Sequence, residues 1–407
     1  MKVIKKDGTL EEYNEQKIIN AIDKSAQREN FTFSQDEYGM ICNRVLNEVD
    51  EEDFENDEVP VGFIHNIVEK TLLDLFPKVG YQYQQYRNYK LDFVHMMDTV
   101  YEESQKIMYI GDKENSNTDS ALVSTKRSLV FNELNKQLYK KFFLTVEERQ
   151  AINDGYIYIH DMSARRDTMN CCLFNVAEVM RGGFEMGNVW YNEPKTLDTA
   201  FDVIGDITLS AASQEYGGFT LPQIDEVLVP YAEKSYEKYK REFYDIADNL
   251  LDYRHSDFEQ KAHDYAMRKV ERDMAQGYQG LEYKFNTVSS SRGDYPFITI
   301  TFGLGTDSFA KMASKTFLRV HREGQGKDGN KKPVLFPKLV FLYTEELHGK
   351  GKVNEDLFEE GIKTSAKTMY PDWLSLDGDT TVSKMYHKYG KVISPMGKCK
   401  SAHVKRY

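Results

Sequence analysis

The sequence predicts an α/β protein preceded by a small, mainly helical domain. Three observations carry this. Four short apolar runs have the length of strands: Tyr156-His160, Met169-Phe174, Phe297-Phe302 and Leu339-Tyr343. Long helical patterns lie between them, above all from Gln223 to Gln279, dense in Tyr, Lys and Glu. Residues 1–92 show a strand, turn and helix pattern of their own. Strands alternating with helices build α/β layers.

The first domain opens with a short strand at Lys2-Lys5 and a turn at Asp7-Gly8. A helix follows from about Asn14, whose side chain suits an N-cap, and Ile18, Ala21, Ile22 and Ala26 recur on one helical face. A second helix carries Ile64, Ile67, Val68, Leu72 and Leu75 at the same spacing. The acidic run from Glu48 to Glu58 ahead of it reads as a solvated loop. Tyr81 to Ser104 reads as a helix leading onward. From about residue 105 no Pro, Gly or Ser linker and no internal repeat interrupts the chain, so the remainder is expected to be one larger domain. Its charged helices read as an outer layer or a partner surface.

At 407 residues the chain can bury a large core, and its length favours more than one domain. A net charge of −12 argues against a nucleic-acid scaffold, because phosphate backbones are held by clustered Lys and Arg. Any anionic ligand then needs a local basic pocket. Four cysteines, Cys42, Cys171, Cys172 and Cys399, and no signal-like start fit a reducing cytoplasm. No run approaches membrane-spanning length. There is no Cys-x-x-Cys or His-Glu-x-x-His, so no complete metal site is expected.

Two regions carry chemistry. Val3-Ile4-Lys5-Lys6-Asp7-Gly8, with Glu11, Asn14 and Lys17, places ammonium groups beside a tight turn and a helix start, a setting suited to phosphate. Exposed solubilising charge is the alternative. This segment, together with His65 and Tyr83-Gln84-Gln85-Tyr86-Arg87, resembles the ATP-cone domain over residues 1–92. The resemblance implies an allosteric site for ATP or dATP, with Lys5, Lys6 and Lys17 on phosphate and Gly8 turning the backbone. Val61 stands where cones often carry a Thr just ahead of the second helix.

Further on come Glu114-Asn115-Ser116-Asn117, Tyr156-Ile157-Tyr158-Ile159-His160-Asp161 and Thr168-Met169-Asn170-Cys171. Gly182-Gly183-Phe184, Glu193-Pro194-Lys195-Thr196, Tyr216-Gly217-Gly218, Ser290-Ser291-Arg292-Gly293-Asp294-Tyr295-Pro296-Phe297 and Ser394-Pro395-Met396-Gly397 follow. In this order they resemble the anaerobic, glycyl-radical ribonucleoside-triphosphate reductases. The resemblance implies the first half of a ten-stranded α/β barrel over residues 105–397. It implies that a finger-loop cysteine, matched by Cys399, forms a thiyl radical that takes the ribose 3′ hydrogen. Cys171, following Asn170, would be the second thiol, donating a proton and electron after water leaves C2′. Sulfur is soft and oxidisable, which suits that task. Ser290, Ser291 and Gly293 would meet substrate, with a strand-entry turn as the alternative. Cys172 reads as core packing, Cys42 as a buried structural thiol, and the His160-Asp161 pair as structural.

The family pattern runs Met-Gly-Cys-Arg, whereas Lys398 intervenes here and Lys400 stands in place of Arg. Residues 398–407 read as a divergent tail. The glycyl-radical loop and the four-cysteine zinc ribbon of the family are therefore expected only in a missing C-terminal part. On this reading the chain is an incomplete reductase, inactive by itself and a homodimer. It would be served by a separate S-adenosylmethionine-dependent activating enzyme, by formate or a thiol system, and by a complementary C-terminal fragment. A non-catalytic ATP- or dATP-binding regulatory fragment is the alternative. A pyruvate formate-lyase-like enzyme fits poorly, since those place adjacent cysteines in the finger loop.

Overall fold

The computed structural model describes residues 1–5, 7–52, 54–110, 121–165, 169, 171–250, 257–290, 293–390 and 392. Two compact units divide at Glu102 and Glu103.

In the first unit, β1 (Lys2–Ile4) lies between β2 (Leu10–Glu12, antiparallel) and β3 (Glu58–Pro60, parallel). Four helices follow the chain: α1 (Glu15–Gln27), α2 (Gln35–Asp50), α3 (Val61–Leu75) and α4 (Pro77–Ile110), the last running through the division. Asn14 caps α1 by accepting from the Gln16 N–H at 2.9 Å, and Ile18, Ile22 and Ala26 are buried as their spacing predicts. Ile64, Ile67, Val68 and Leu72 of α3 join the same core, whereas Leu75 at the helix end is exposed.

The acidic run is not a loop throughout. Its first residues end α2, and Glu58 begins β3, where Val59 pairs with Val3 and is fully buried. The apolar side chain decides the position of that strand, and its charged neighbours remain at the surface. α2 itself starts with a capping box in which Ser34 and Glu37 satisfy each other's backbone N–H groups.

The second unit begins with α5 (Val123–Phe143) and α6 (Val146–Asn153). After β4 (Cys172–Leu173) come α7 (Val176–Met180) and a hairpin of β5 (Phe184–Met186) and β6 (Val189–Tyr191). Then α8 (Leu197–Ala212), β7 (Gly218–Leu221), α9 (Ile224–Leu250), α10 (Phe258–Thr287) and β8 (Phe297–Phe302) alternate. α11 (Ser308–Glu323), β9 (Lys338–Tyr343), α12 (Glu345–His348), α13 (Glu355–Thr368), β10 (Asp372–Ser375) and α14 (Thr381–Tyr389) complete the described elements. The five strands form one parallel sheet in the order β10-β9-β8-β7-β4, a fold of mixed helix and sheet.

Phe297–Phe302 forms a strand over the residues predicted, and Leu339-Tyr343 gains only Lys338. Tyr156-His160 is not a strand: Tyr156 and Tyr158 are each 82% exposed, so no sheet face claims them. The run from Gln223 to Gln279 is two helices, α9 and α10. They pack antiparallel through Tyr265 on Glu242 at 2.8 Å and the hydrogen bond from Tyr239 to buried Asp273.

The sheet has two unlike faces. Phe219, Leu221, Ile298, Ile300, Phe302, Leu339 and Phe341 pack with residues of α8, α9, α10 and α11 in the main core. Strand alternation and register place Thr220, Thr299, Thr301, Lys338, Val340 and Leu342 on the opposite face. There Val340 and Leu342 join a separate small cluster with Leu304, Leu376 and Val392.

Candidate functional site

In the first unit the predicted phosphate residues converge on one carboxylate. Lys5 follows β1, and its N–H donates to the Thr9 carbonyl at 2.8 Å, closing a turn in which Gly8 adopts φ +79°. Glu11 on β2 stands opposite Val3, which is buried in the core. The Glu11 carboxylate accepts from Lys5 Nζ at 2.6 Å and from Lys17 Nζ, on α1, at 2.5 Å. Hydrogen bonds from Lys17 and then Lys5 hold the Glu11 carboxyl below its ordinary range, and Glu11 in turn raises Lys5. Two cations are thus gathered on a solvent-facing carboxylate beside a capped helix start. Lys6 lies outside the described residues.

Elsewhere in the unit, His65 Nδ1 lies 2.6 Å from the Tyr83 hydroxyl, and burial pushes that phenol up. Arg87 donates to Glu69 at 2.8 Å and to Asn66 at 2.5 Å, on the wall of a cleft that also includes Lys70 and Asp74. The sequence reading named His65 and Arg87 but missed Glu69 and Asn66. Their i, i+3 spacing on α3 was the available signal.

In the second unit the cysteine station and the Ser-Gly segment meet at one end of the sheet, where parallel strands begin. Cys171 immediately precedes β4, and its Sγ accepts from the Gly218 N–H, at the start of β7, at 3.3 Å. By alternation Cys171 belongs with Leu173 on the face away from the main core, while Cys172 packs against that core. Burial and then a hydrogen bond with Glu215 push the Cys172 thiol up to about 12, so it stays protonated at neutral pH. The strand sends these adjacent thiols to opposite faces of the sheet. Cys42 is buried in the core of the first unit, and burial raises its thiol as well.

A cleft lies beside this station, lined by Glu215, Tyr216, Gly217, Ser290, Asp294, Tyr295 and Phe297 among others. It encloses about 40 Å³. That is room for about three waters, so a larger molecule would meet it as a wall. Ser290 is on that wall. Its N–H donates to the Asp294 carbonyl at 2.8 Å, and the Gly293 N–H donates to the Ser290 carbonyl at 2.9 Å. Gly293 has φ +83° and lies against α5, where Thr125 Oγ1 donates to its carbonyl at 3.0 Å. Gly293 shapes the turn that presents Ser290. Asn170, Ser291 and Cys399 fall outside the described residues. His160 is 3.1 Å from Asp161 on an exposed turn. Tyr216, noted only within a motif, proves to line the cleft, and its hydroxyl accepts from Ser163 at 3.1 Å.

Among the described residues no group of three His, Cys, Asp or Glu side chains is placed to hold a metal ion, and no helix is long and apolar enough to cross a membrane.

The first unit thus gathers two cations on one carboxylate, and the second sets a thiol at the rim of a parallel sheet. The family model described as "ATP cone domain" matches residues 1–91, and that described as "Anaerobic ribonucleoside-triphosphate reductase" matches residues 114–403. The chain belongs to the anaerobic ribonucleoside-triphosphate reductase family. The anaerobic ribonucleoside-triphosphate reductase of Haemophilus influenzae is 32% identical over 412 residues, covering 98% of this chain and 54% of the relative. Its Escherichia coli counterpart is 30% identical over 415 residues, covering 98% and 54%. The Enterobacteria phage T4 enzyme is 33% identical over 293 residues, covering 71% and 45%. The chain spans about half the length of the curated relatives it matches. A crystal structure of the Thermotoga maritima anaerobic ribonucleotide reductase with dATP and CTP matches with a TM-score of 0.43 at 16% identity, covering 72% of this chain and 50% of that one.

Proposed function

We propose that the chain supplies the allosteric module and the first half-barrel of an enzyme that reduces ribonucleoside triphosphates to deoxyribonucleotides by radical chemistry. The observation that carries this reading is the placement of Cys171. Within a chain of this family, it holds a thiol on the Gly218 N–H, next in the chain to Gly217 of the cleft that Ser290 walls.

In this reading Cys171, which Asn170 precedes in the chain, donates a proton and an electron after the 2′ hydroxyl leaves as water, and formate or a thiol system supplies the remaining reducing equivalent. Ser290, Ser291 and Gly293 meet the substrate, and Cys399 is the finger-loop thiol that takes the 3′ hydrogen. The glycyl radical supplies the oxidising equivalent when present. It and the zinc ribbon would belong to the part of the relatives that this chain does not span, completed by a C-terminal fragment and charged by a separate activating enzyme. The open parallel sheet would be the first half of the ten-stranded barrel, in a homodimer.

The cone would bind ATP or dATP through Val3, Lys5, Lys6, Glu11, Asn14 and Lys17. Lys5 and Lys17 are held on Glu11, so a triphosphate must compete with that carboxylate for them.

The test is deoxyribonucleotide formation by the purified chain after treatment with an activating enzyme, with and without the C-terminal half of a relative. No product is expected from the chain alone. Product is expected from the complemented pair, and its loss in Cys171→Ala. Product undiminished by Cys171→Ala would refute the role of that thiol. Nucleotide binding at the cone with no turnover under any complementation would favour the regulatory reading.

A further inference from the structure

The sheet face opposite the main core carries a half-buried cation with no carboxylate in ion-pair reach among the described residues. Lys338 is the first residue of β9, opposite Thr299 of β8 in the ladder. Its Nζ lies 4.6 Å from the centre of the Phe297 ring, and Phe297 lines the cleft. Among the described residues Lys338 forms no ion pair, although most lysines packed on this unit's helices reach an Asp or Glu. An aromatic face offsets only part of the cost of withdrawing an ammonium group from water.

Its register partner is a second, independent irregularity. Thr299 is 1% exposed, and its hydroxyl is buried with no hydrogen-bond partner among the described residues. Buried hydroxyls are ordinarily bonded, so an orphan beside an unpaired cation calls for a physical reason. An anionic oxygen would answer both groups: it accepts from the ammonium and from the hydroxyl, and charge-assisted bonds of this kind are the strong ones.

We propose that Lys338 and Thr299 form an anion subsite that takes a phosphate of the nucleotide whose sugar meets Cys171. This rests on reading the cleft as the ribonucleotide site. β9 is three strand positions from β4, but the Lys338 side chain leans back over β8. Its ammonium therefore stands roughly two strand spacings, about 10 Å, from the strand that follows Cys171. That is the scale of the reach from a nucleotide's sugar to its outer phosphates. The competing role for Lys338 is purely structural, pinning Phe297 in place.

The experiment uses the whole chain with Lys5→Ala and Lys17→Ala in the cone, so that binding reports the cleft. Calorimetry measures a ribonucleoside triphosphate, its nucleoside and inorganic tripolyphosphate against this background and against added Lys338→Met, Lys338→Arg and Thr299→Val. Lys338→Met is expected to weaken the triphosphate at least tenfold and leave the nucleoside unchanged, with Lys338→Arg within threefold of the background. Thr299→Val is expected to weaken the triphosphate severalfold while thermal stability holds or rises, because an unbonded buried hydroxyl becomes a methyl of the same shape. Tripolyphosphate is expected to compete with the nucleotide and to lose affinity in Lys338→Met.

Equal losses for nucleoside and triphosphate, no loss for either, or tripolyphosphate that binds without competing would each overturn the subsite. Nucleoside binding with no preference for the triphosphate would overturn it while leaving the cleft assignment intact. Absence of binding by both would overturn the cleft assignment and the subsite together.

Discussion

Replacing Gly293 with alanine perturbs the turn that presents Ser290 to the cleft, and the cost can be worked from the structure. At φ +83° a side chain of L configuration is strained by about 1–2 kcal/mol. The added Cβ would stand 2.6 Å from Thr125 Cα and closer still to Thr125 N and Oγ1. Relieving an overlap of that kind costs about 1–3 kcal/mol. If α5 yields instead, the bond from Thr125 Oγ1 to the Gly293 carbonyl is put at risk, worth about 1 kcal/mol. Gly293→Ala is therefore expected to destabilise the second unit by about 2–5 kcal/mol, a fall in Tm of roughly 3–8 °C for a domain of this size. Calorimetric or dichroism-detected unfolding measures it. Because backbone atoms of Thr125 share the overlap, Thr125→Ala in the same chain should fail to rescue Gly293→Ala. A loss under about 1 kcal/mol, or full rescue by Thr125→Ala, would refute the argument that backbone contact at this turn requires glycine.

Asp225 is fully buried, accepting from the Gly303 N–H and the Ser314 hydroxyl, each at 2.9 Å, and burial raises its carboxyl from 3.8 to about 6. A folded-state pKa above the unfolded one means that stability is greatest with the group protonated and falls as pH rises between those two values. The loss is complete above about pH 6 and amounts to about 3 kcal/mol. Asp225→Asn should remove that slope, read as the difference in denaturant midpoint between the two chains from pH 4 to pH 8; parallel profiles would contradict it. In the cone, Glu11→Gln should tighten tripolyphosphate binding at low salt by releasing Lys5 and Lys17, and calorimetry showing weaker binding would mean that Glu11 helps rather than competes. Peptide mapping after iodoacetamide treatment at pH 8 should leave Cys172 unmodified until the chain unfolds, since its thiol titrates only near pH 12. Rapid native labelling there would show that the core does not shield it.

Local patterns carried far in this sequence. The caps and apolar spacing of α1 and α3 could be read directly, because a helix face repeats every few residues and its cap lies next to it in the chain. The same holds for β8 and β9, whose apolar runs are long enough to be buried on both faces. The Ser34 and Glu37 capping box was equally legible, yet α2 went unread because its start follows an aromatic and polar stretch with weak periodicity. Tyr156-His160 shows the converse: an alternating aromatic run has strand propensity but finds no partner strand.

The sequence by itself determined the order of the two units, the cone cations, the positions of β8 and β9 and the motif residues that make the family recognisable. Only the tertiary structure decided how they work together. It brought Lys5 and Lys17 onto one carboxylate and turned Cys171 and Cys172 to opposite faces. It spent Gly293 on a contact with α5, 168 residues away in the chain, and set Lys338 opposite Thr299, whose hydroxyl has no hydrogen-bond partner among the described residues. The physical reason is that charge pairing, burial and strand register depend on neighbours in space, and long-range neighbours leave no periodic trace in the chain.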